Sequence, residues 1–542
     1  MANYLKEFEN PSARFRGAPF WAWNCRLERD TLVRQVEYFK EMGLGGFTMH
    51  CRTGLDTPYM SQEFLEMIRA CVNRARELDM KAYLYDEDRW PSGFGGGEVT
   101  KEDRYRARCL VFTPVRAEDR DSAEDNATSA SWARGRATKE GKLLGSYSVV
   151  LENGHLKEYR KLNAAAEAAA RERGETVWYA YLELSPKSPW YNNQSYVNTL
   201  DKKAIKRFIE TTHEKYYEAV GEDFGKLIPS IFTDEPQFVH KQTFGRAEDK
   251  KDVVIPYTDD FEATYKKTYG ESFLKYLPEV FWELPDGEVS LTRYRYHDHV
   301  AERFAHAFAD TLGSWCRKHG IALTGHMMEE PTLRSQTAAL GEAMRNYRGF
   351  QIPGIDMLCD NREYTTAKQA QSAAHQLGRN EITSELYGVT NWDFDFRGHK
   401  QQGDWQAALG VTHRVHHLSW VSMAGEAKRD YPASIFFQSP WYRKYALVED
   451  YFARVNTALM SGKPKVRIGV IHPVESYWLS FGPDEQTAKE REELEKRFRD
   501  VTEWLLFGLQ DFDYISEGLL ASMASGTRPA QKGEGGESRT EE

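Results

Sequence analysis

Buried strands that end in polar clusters alternate with amphipathic helices along most of this chain. The first apolar run, APFWAWN at 18–24, precedes a helix whose apolar positions recur from Leu32 at i, i+4 and i+7. Further strands at 46–49 and 81–85 repeat the pattern, and no hairpin signal separates them. This alternation predicts βα units and a parallel sheet.

Two long excursions interrupt the alternation. Residues 101–195 predict a mainly β insertion after the third strand, with a hairpin turn at Asn153-Gly154. Residues 238–296 form a second excursion that is rich in Tyr, Phe and Pro. The remaining strands are predicted at 228–233, 321–324, 354–358, 382–388 and 417–423. Eight βα units between residues 10 and 460 predict an α/β protein with a (β/α)₈ TIM barrel.

A second unit begins after the barrel, at the boundary signal Gly462-Lys463-Pro464. A buried-type strand at 466–471, a charged helix at 486–509 and a short strand at 513–515 make one βαβ unit. We therefore expect the start of a Rossmann or flavodoxin-like domain over 464–522, incomplete in so few residues. The final segment, 525–542, contains one apolar residue, Ala530, and predicts a disordered tail.

Composition narrows the class of protein. Apolar residues at 41% and aromatic residues at 13% supply a large core, and the net charge of −10 argues against nucleic acid or an acidic membrane as partner. Six cysteines without metal-site spacing fit a reducing cytosol. The N-terminus lacks the apolar core of a signal peptide, and no eighteen consecutive residues are apolar. We expect a soluble, cytoplasmic protein. A barrel with such an appendage often forms homo-oligomers, and the oligomeric state stays open.

Polar side chains follow the predicted strands. In PSIFTDEPQ, at 229–237, an uncharged strand delivers Asp234 and Glu235, and Pro236 ends it. A parallel barrel keeps its chemistry at the carboxyl ends of its strands, so residues at those ends face one bowl. The other candidates are Trp21 and Trp23, His50 and Arg52, Asp86, Glu87, Arg89 and Trp90, His326, Asp356, Glu385 and Tyr387, and Lys428 and Arg429.

Carboxylates flanked by Trp and Tyr suit a sugar, because aromatic rings stack on its apolar face and acids bind its hydroxyls. Glycoside hydrolysis needs two carboxyls on opposite sides of the scissile bond. Glu235 and Glu385 follow strands four and seven, on opposite walls, and are the candidate catalytic pair; the other residues are candidates for substrate binding. Structural alternatives remain: the tryptophans as core, an Asp86–Arg89 salt bridge, and His326 as a hydrogen-bonded pocket residue rather than a metal ligand.

The segments PFWAWN, GGFTMHCRTGL, YLYDEDRWPSGFGGG and IFTDEP resemble the catalytic barrel of glycoside hydrolase family 106, the α-L-rhamnosidases. The resemblance covers roughly residues 10–460. It implies Glu235 as general acid, Glu385 as general base, inversion of configuration, and a calcium ion in the sugar pocket whose ligands it does not assign. Family members carry β-sandwich domains after the barrel. The unit that begins at 464 is instead similar to the flavodoxin-like domain of family 42 β-galactosidases, which retain configuration.

Two other classes remain open. A sugar-binding barrel without activity would lack one of the two glutamates, and both are present. A metal-dependent aldolase or isomerase would need several histidines and acids on one ion, a set that His50, His326 and Asp356 could supply. Hydrolysis by the two carboxylates alone requires no cofactor. The sugar, its linkage and the stereochemistry are not determined by the sequence.

Overall fold

The computed structural model describes residues 2–120 and 135–524. Its strands, in chain order, are β1 (Phe20–Trp23), β2 (Gly46–Cys51), β3 (Lys81–Tyr85), β4 (Arg108–Thr113), β5 (Lys142–Glu152), β6 (His155–Leu162), β7 (Val177–Leu184), β8 (Ser230–Thr233), β9 (Val253–Pro256), β10 (Ala322–Gly325), β11 (Ile352–Met357), β12 (Thr383–Leu386), β13 (His413–His416), β14 (Ser419–Trp420), β15 (Ile468–His472) and β16 (Phe512–Ser516).

Helices follow most of the barrel strands, and others belong to the insertions and to the unit after the barrel. They are α1 (Ala2–Glu9), α2 (Arg29–Glu41), α3 (Gln62–Glu77), α4 (Ala164–Glu172), α5 (Lys202–Phe208), α6 (Glu214–Val220), α7 (Phe261–Tyr269), α8 (Phe273–Tyr276), α9 (Leu291–Phe304), α10 (Asp310–His319), α11 (Leu333–Ala339), α12 (Ala343–Tyr347), α13 (Tyr364–Gln376), α14 (Phe396–Ala408), α15 (Ala446–Leu459), α16 (Val474–Leu479), α17 (Asp484–Phe507) and α18 (Glu517–Ala524). In α3, the hydroxyl of Ser61 caps the helix by accepting a hydrogen bond from the Phe64 amide, and the apolar face packs on the sheet.

A closed parallel sheet confirms the predicted (β/α)₈ barrel. Its strand order is β13-β12-β11-β10-β8-β3-β2-β1-β14, and all of its pairs are parallel. Strands β13 and β14 are two parts of the eighth barrel strand, since β13 pairs with β12 and β14 pairs with β1. The amide of Ala18 also donates to the Arg414 carbonyl at 3.0 Å, which closes the ring.

The eighth strand begins four residues before its predicted start at 417. Its first part contains Arg414 and His416, charged or polar residues that a buried strand seldom carries. Both pair with the buried carboxylate of Glu449 on α15, at 2.8 Å and 3.0 Å. A partner distant in sequence therefore permits polar residues in this strand, and the apolar pattern alone does not reveal it.

The predicted β insertion is a five-stranded antiparallel sheet in the order β6-β5-β7-β4-β9. Four of its strands come from the excursion after β3, and β9 comes from the second excursion. Asn153 and Gly154 form the tight turn between β5 and β6, with φ angles of 52° and 78° that this hairpin requires.

Beyond the barrel, β15 and β16 pair in parallel with α17 between them, which is one βαβ unit as predicted. The predicted tail at 525–542 lies outside the described residues. Among the helices that the model describes, none has the length and apolar character needed to cross a membrane.

Candidate active site

The carboxyl ends of four consecutive barrel strands bring acids together around one histidine. Strand β8 delivers Asp234 and Glu235, β10 delivers His326, β11 carries Asp356, and β12 carries Glu385. In the group Asp234–His326–Glu385, one donor atom from each residue lies within 4.8 Å of the others, and the same holds for Glu235–His326–Asp356. His326 belongs to both groups and therefore stands at the centre of the cluster.

His326 is held as a cation between carboxylates. Its Nε2 lies 3.0 Å from Asp234 Oδ1 and 3.8 Å from Glu385 Oε2. Burial lowers the pKa of His326, but the carboxylates of Asp234, Glu385 and Asp356 outweigh burial and hold it well above the usual value. Tyr85 donates its hydroxyl to the other oxygen of Asp234 at 2.6 Å. The Asp234–His326 ion pair thus lies against both candidate catalytic acids.

The two candidate catalytic glutamates share a strongly acidic environment. Burial raises the pKa of Glu235 well above its usual value, and the charges of Asp234 and Asp356 raise it further. Burial likewise raises the pKa of Glu385, followed by the charges of Asp356 and Asp234. The pKa of Asp356 is raised to about 6, chiefly by burial. Burial and the mutual repulsion of these carboxylates therefore both favour a protonated carboxyl in the cluster, which is the form a general acid needs.

Glu235 also has an unusual backbone. Its φ angle is +47°, in the left-handed region that a residue with a Cβ atom seldom adopts. Such strain concentrates at functional sites, where the surrounding structure maintains it. Glu235 is the second residue after β8 and is only partly buried, so its carboxyl is within reach of the barrel mouth.

The loop after β3 supports this strand end. The amide of Asp234 donates to Ser92 Oγ at 2.9 Å, and the amide of Ser92 donates to the Asp234 carbonyl at 2.8 Å. Ser92 Oγ then donates to Asp86 Oδ1 at 2.5 Å. Ser92 therefore binds both backbone polar groups of the residue that precedes Glu235.

Glu87 organises the same loop from within. Its carboxylate accepts hydrogen bonds from the amides of Asp88, Gly93, Gly95 and Gly96, at 2.7 to 2.9 Å. The three glycines have positive φ angles, a conformation that favours glycine. Glu87 is fully buried, and both of its oxygens are used in the loop.

Two other residues predicted for substrate binding have partners within the protein. His50 is buried against the rings of Phe20 and Tyr85. Arg89 pairs with Asp88 at 2.9 Å, so the predicted alternative of an Asp86–Arg89 salt bridge is wrong.

Three predicted site residues point away from the bowl, and these predictions need correction. Trp21 and Trp23 are fully buried; Trp21 packs on Phe39 of α2, and Trp23 packs on Phe64 of α3. Phe20 and Ala22 occupy the inner face of β1 instead. Tyr387 is also fully buried. Its hydroxyl donates to the His399 carbonyl on α14, outside the barrel.

Several residues near the acids were not among the sequence predictions. Glu330 is buried beside the cluster, accepts the Met327 amide at 3.0 Å, and has its pKa raised to about 8 by burial. His417 Nε2 lies 3.7 Å from Glu385 Oε1. Two signals in the sequence could have indicated these residues: Glu330 is a second acid after the fifth strand, and His417 lies near the end of the eighth strand once the register of that strand is corrected.

The predicted residues Lys428 and Arg429 are exposed on the loop that follows the eighth strand, where Arg429 pairs with Glu426 at 2.8 Å.

The converging donors do not fit the calcium ion that the resemblance implies. Both groups of donor atoms include His326, whereas calcium takes oxygen ligands and imidazole suits transition metals. His50, the third member of the alternative metal set, belongs to neither group among the described residues.

The fold and site together define a (β/α)₈ barrel with an acid–histidine cluster at its carboxyl end. A rhamnosidase from Novosphingobium sp. PP1Y has a similar structure, with a TM-score of 0.59 and 14% identity over 86% of this chain. The match covers 61% of the rhamnosidase, so this chain spans about three fifths of that protein's length. The likeness to a rhamnosidase indicated by the motifs is thus present in the structure, and at this identity it shows the fold.

β-Galactosidases from Marinomonas ef1 and Bacillus circulans sp. alkalophilus also match. Their TM-scores are 0.49 and 0.47, at 11% and 13% identity, each over 92% of this chain and over 70% and 65% of their own. No protein-family model and no curated protein sequence matches the chain.

Proposed function

We propose that this protein is a glycoside hydrolase that removes a terminal sugar, with Glu235 as general acid and Glu385 as general base. The observation that carries the proposal is that two glutamates, Glu235 after β8 and Glu385 on β12, both lie close to His326 and both have raised pKa values. A raised pKa favours the protonated form that the general acid needs, while the general base must be deprotonated to accept a proton from water.

In the proposed reaction, Glu235 protonates the glycosidic oxygen as the bond breaks. Glu385 removes a proton from the attacking water on the opposite face of the sugar, which inverts the anomeric carbon. Asp234 and its partner His326 hold a fixed ion pair between the two acids. Side chains supply both the acid and the base, so this reaction requires no cofactor.

We further propose an α-L-rhamnoside as substrate. The support is the motif likeness to the rhamnosidase family, together with the similar fold of the Novosphingobium rhamnosidase. A retaining, β-galactosidase-like reaction is the alternative, and it would make Glu385 a nucleophile.

A screen of 4-nitrophenyl glycosides tests this function, and we expect the α-L-rhamnoside to be hydrolysed. Metal analysis of the same preparation, together with this screen, distinguishes a hydrolase from a sugar-binding protein and from a metal-dependent enzyme. Binding of sugars without release of nitrophenol would indicate a sugar-binding protein. Bound stoichiometric zinc, iron or manganese without glycosidase activity would indicate a metal-dependent enzyme.

Ser92→Ala tests whether Ser92 positions the general acid Glu235, because it removes the hydroxyl that accepts a hydrogen bond from the Asp234 amide. We expect kcat to fall by about 10²-fold with KM little changed, since a small displacement of the acid slows the chemical step. The matched control is Ser61→Ala, which removes a helix cap and should lower the free energy of unfolding by about 1 kcal/mol without changing kcat. An unchanged kcat in Ser92→Ala would contradict this role.

A further inference from the structure

Three aromatic side chains at the barrel mouth have no part in the acid cluster. Trp90 and Tyr431 meet edge to face, with ring centroids 6.3 Å apart. Trp392 donates its Nε1 hydrogen to the carbonyl of Lys428, three residues before Tyr431, at 3.2 Å. Trp392 is 41% exposed and Tyr431 is 38% exposed, while Trp90 is half-buried. We call these three residues the aromatic rim.

The buried guanidinium of Arg52 packs against two rings of the aromatic rim and holds them in place. The guanidinium carbon of Arg52 lies 4.7 Å from the Trp90 ring centroid and 5.3 Å from that of Tyr431. Arg52 is 3% exposed and binds Asp430 through two hydrogen bonds, at 3.0 and 3.2 Å. The amide of Asn391 donates to the Pro432 carbonyl at 2.9 Å, which ties the Trp392 segment to the same loop. Exposed aromatic rings held this firmly are preorganised to bind a flat ligand.

The rim adjoins both candidate catalytic acids. The Tyr431 ring lies 5.5 Å from the ring of His417, whose Nε2 is 3.7 Å from Glu385 Oε1. Burial raises the pKa of Tyr431, Arg52 lowers it, and the charge of Glu235 raises it again. Trp90 lies two residues before Ser92, which binds both backbone polar groups of Asp234, so the rim is also tied to the strand end that carries Glu235, the residue that would protonate the departing oxygen.

We propose that the aromatic rim binds the leaving group of the glycoside, and that this leaving group presents a flat, weakly polar face. This inference rests on the proposed function, because a general acid lies on the leaving-group side of the bond it protonates. Both an aromatic aglycone and the apolar face of a second pyranose offer such a surface. Trp392 and Tyr431 provide the accessible rings, and Trp90 packs edge-on beside Tyr431.

The double variant Trp392→Ala/Tyr431→Ala tests the rim against two substrates of one sugar. With the 4-methylumbelliferyl glycoside, which has a flat leaving group, we expect KM to rise about tenfold, as loss of aromatic contacts predicts. With the glycosyl fluoride, which lacks one, we expect kcat and KM to stay within twofold. Trp504→Ala is the matched control, since Trp504 is 72% exposed on α17 and lies outside the rim. An unchanged KM for the umbelliferyl substrate, or equal losses on both substrates, would overturn the proposal.

Calorimetry measures binding at the aromatic rim independently of the proposed hydrolysis. We expect wild-type protein to bind free 4-methylumbelliferone or methyl α-D-glucopyranoside, and the double variant to lose that binding; the compound that binds identifies an aromatic or a sugar leaving group. If no glycoside is hydrolysed, but the wild-type protein binds one of these compounds and the double variant does not, the rim proposal is supported and the hydrolase proposal is wrong. If glycosides are hydrolysed but neither compound binds, the rim proposal fails and the hydrolase proposal stands.

Discussion

Glu385→Gln should lower kcat by about 10²- to 10⁴-fold on every glycoside, whatever its leaving group. Glutamine has nearly the same shape but cannot take a proton from water, so each substrate loses the same base. The variant should fold normally, because it removes a buried acid whose neighbours already disfavour its charge. Initial rates at saturating substrate and the melting temperature measure the two effects.

The matched control for this variant is Glu381→Gln. Glu381 precedes the same strand, β12, at the opposite end of the barrel, and its carboxylate pairs with Arg14 at 2.7 Å on the surface. We expect it to keep wild-type kcat. A Glu385→Gln enzyme with wild-type kcat would show that another group activates the water.

Glu235→Gln should have an effect that depends on the leaving group. Poor leaving groups need a proton as the bond breaks, so turnover of an unactivated disaccharide should fall by about 10²- to 10⁴-fold. A 2,4-dinitrophenyl glycoside leaves without that proton and should lose much less. The ratio of the two losses is the measurement, and equal losses would exclude Glu235 as the acid.

The pH profile of the same variant gives a second check. The acid works only while protonated, so wild-type kcat/KM should fall as pH rises through the pKa of Glu235, which burial and Asp234 hold well above its usual value. Glutamine does not titrate, and the alkaline limb should disappear in Glu235→Gln. If the alkaline limb persists unchanged in Glu235→Gln, the titration of another group causes it.

The barrel and the positions of its acids could be predicted because both depend on local pattern. Strand, polar cluster and helix recur with regular spacing, and in a parallel barrel every strand end faces the same side. That rule correctly brings Asp234, Glu235, His326, Asp356 and Glu385 together, although they are distant in sequence.

The direction of single side chains could not be predicted so well. Strand β1 is apolar and buried at all four positions, so no alternation shows that Trp21 and Trp23 face the helices rather than the bowl. Tyr387 also follows a strand, but it has a φ angle of +74° and its hydroxyl binds a carbonyl on α14. Trp392 and Tyr431 lie in loops, where no periodic pattern indicates position. The directions and positions of these side chains are set by tertiary contacts.

The most direct test of the central claim is proton NMR of an α-L-rhamnoside during hydrolysis by the wild-type protein. The spectrum shows whether the glycosidic bond is cleaved and which anomer forms before mutarotation. With Glu235 as acid and Glu385 as base, free β-L-rhamnose should appear first, because water attacks the face opposite the leaving group. Initial release of the α anomer, or no free sugar at all, would contradict the account.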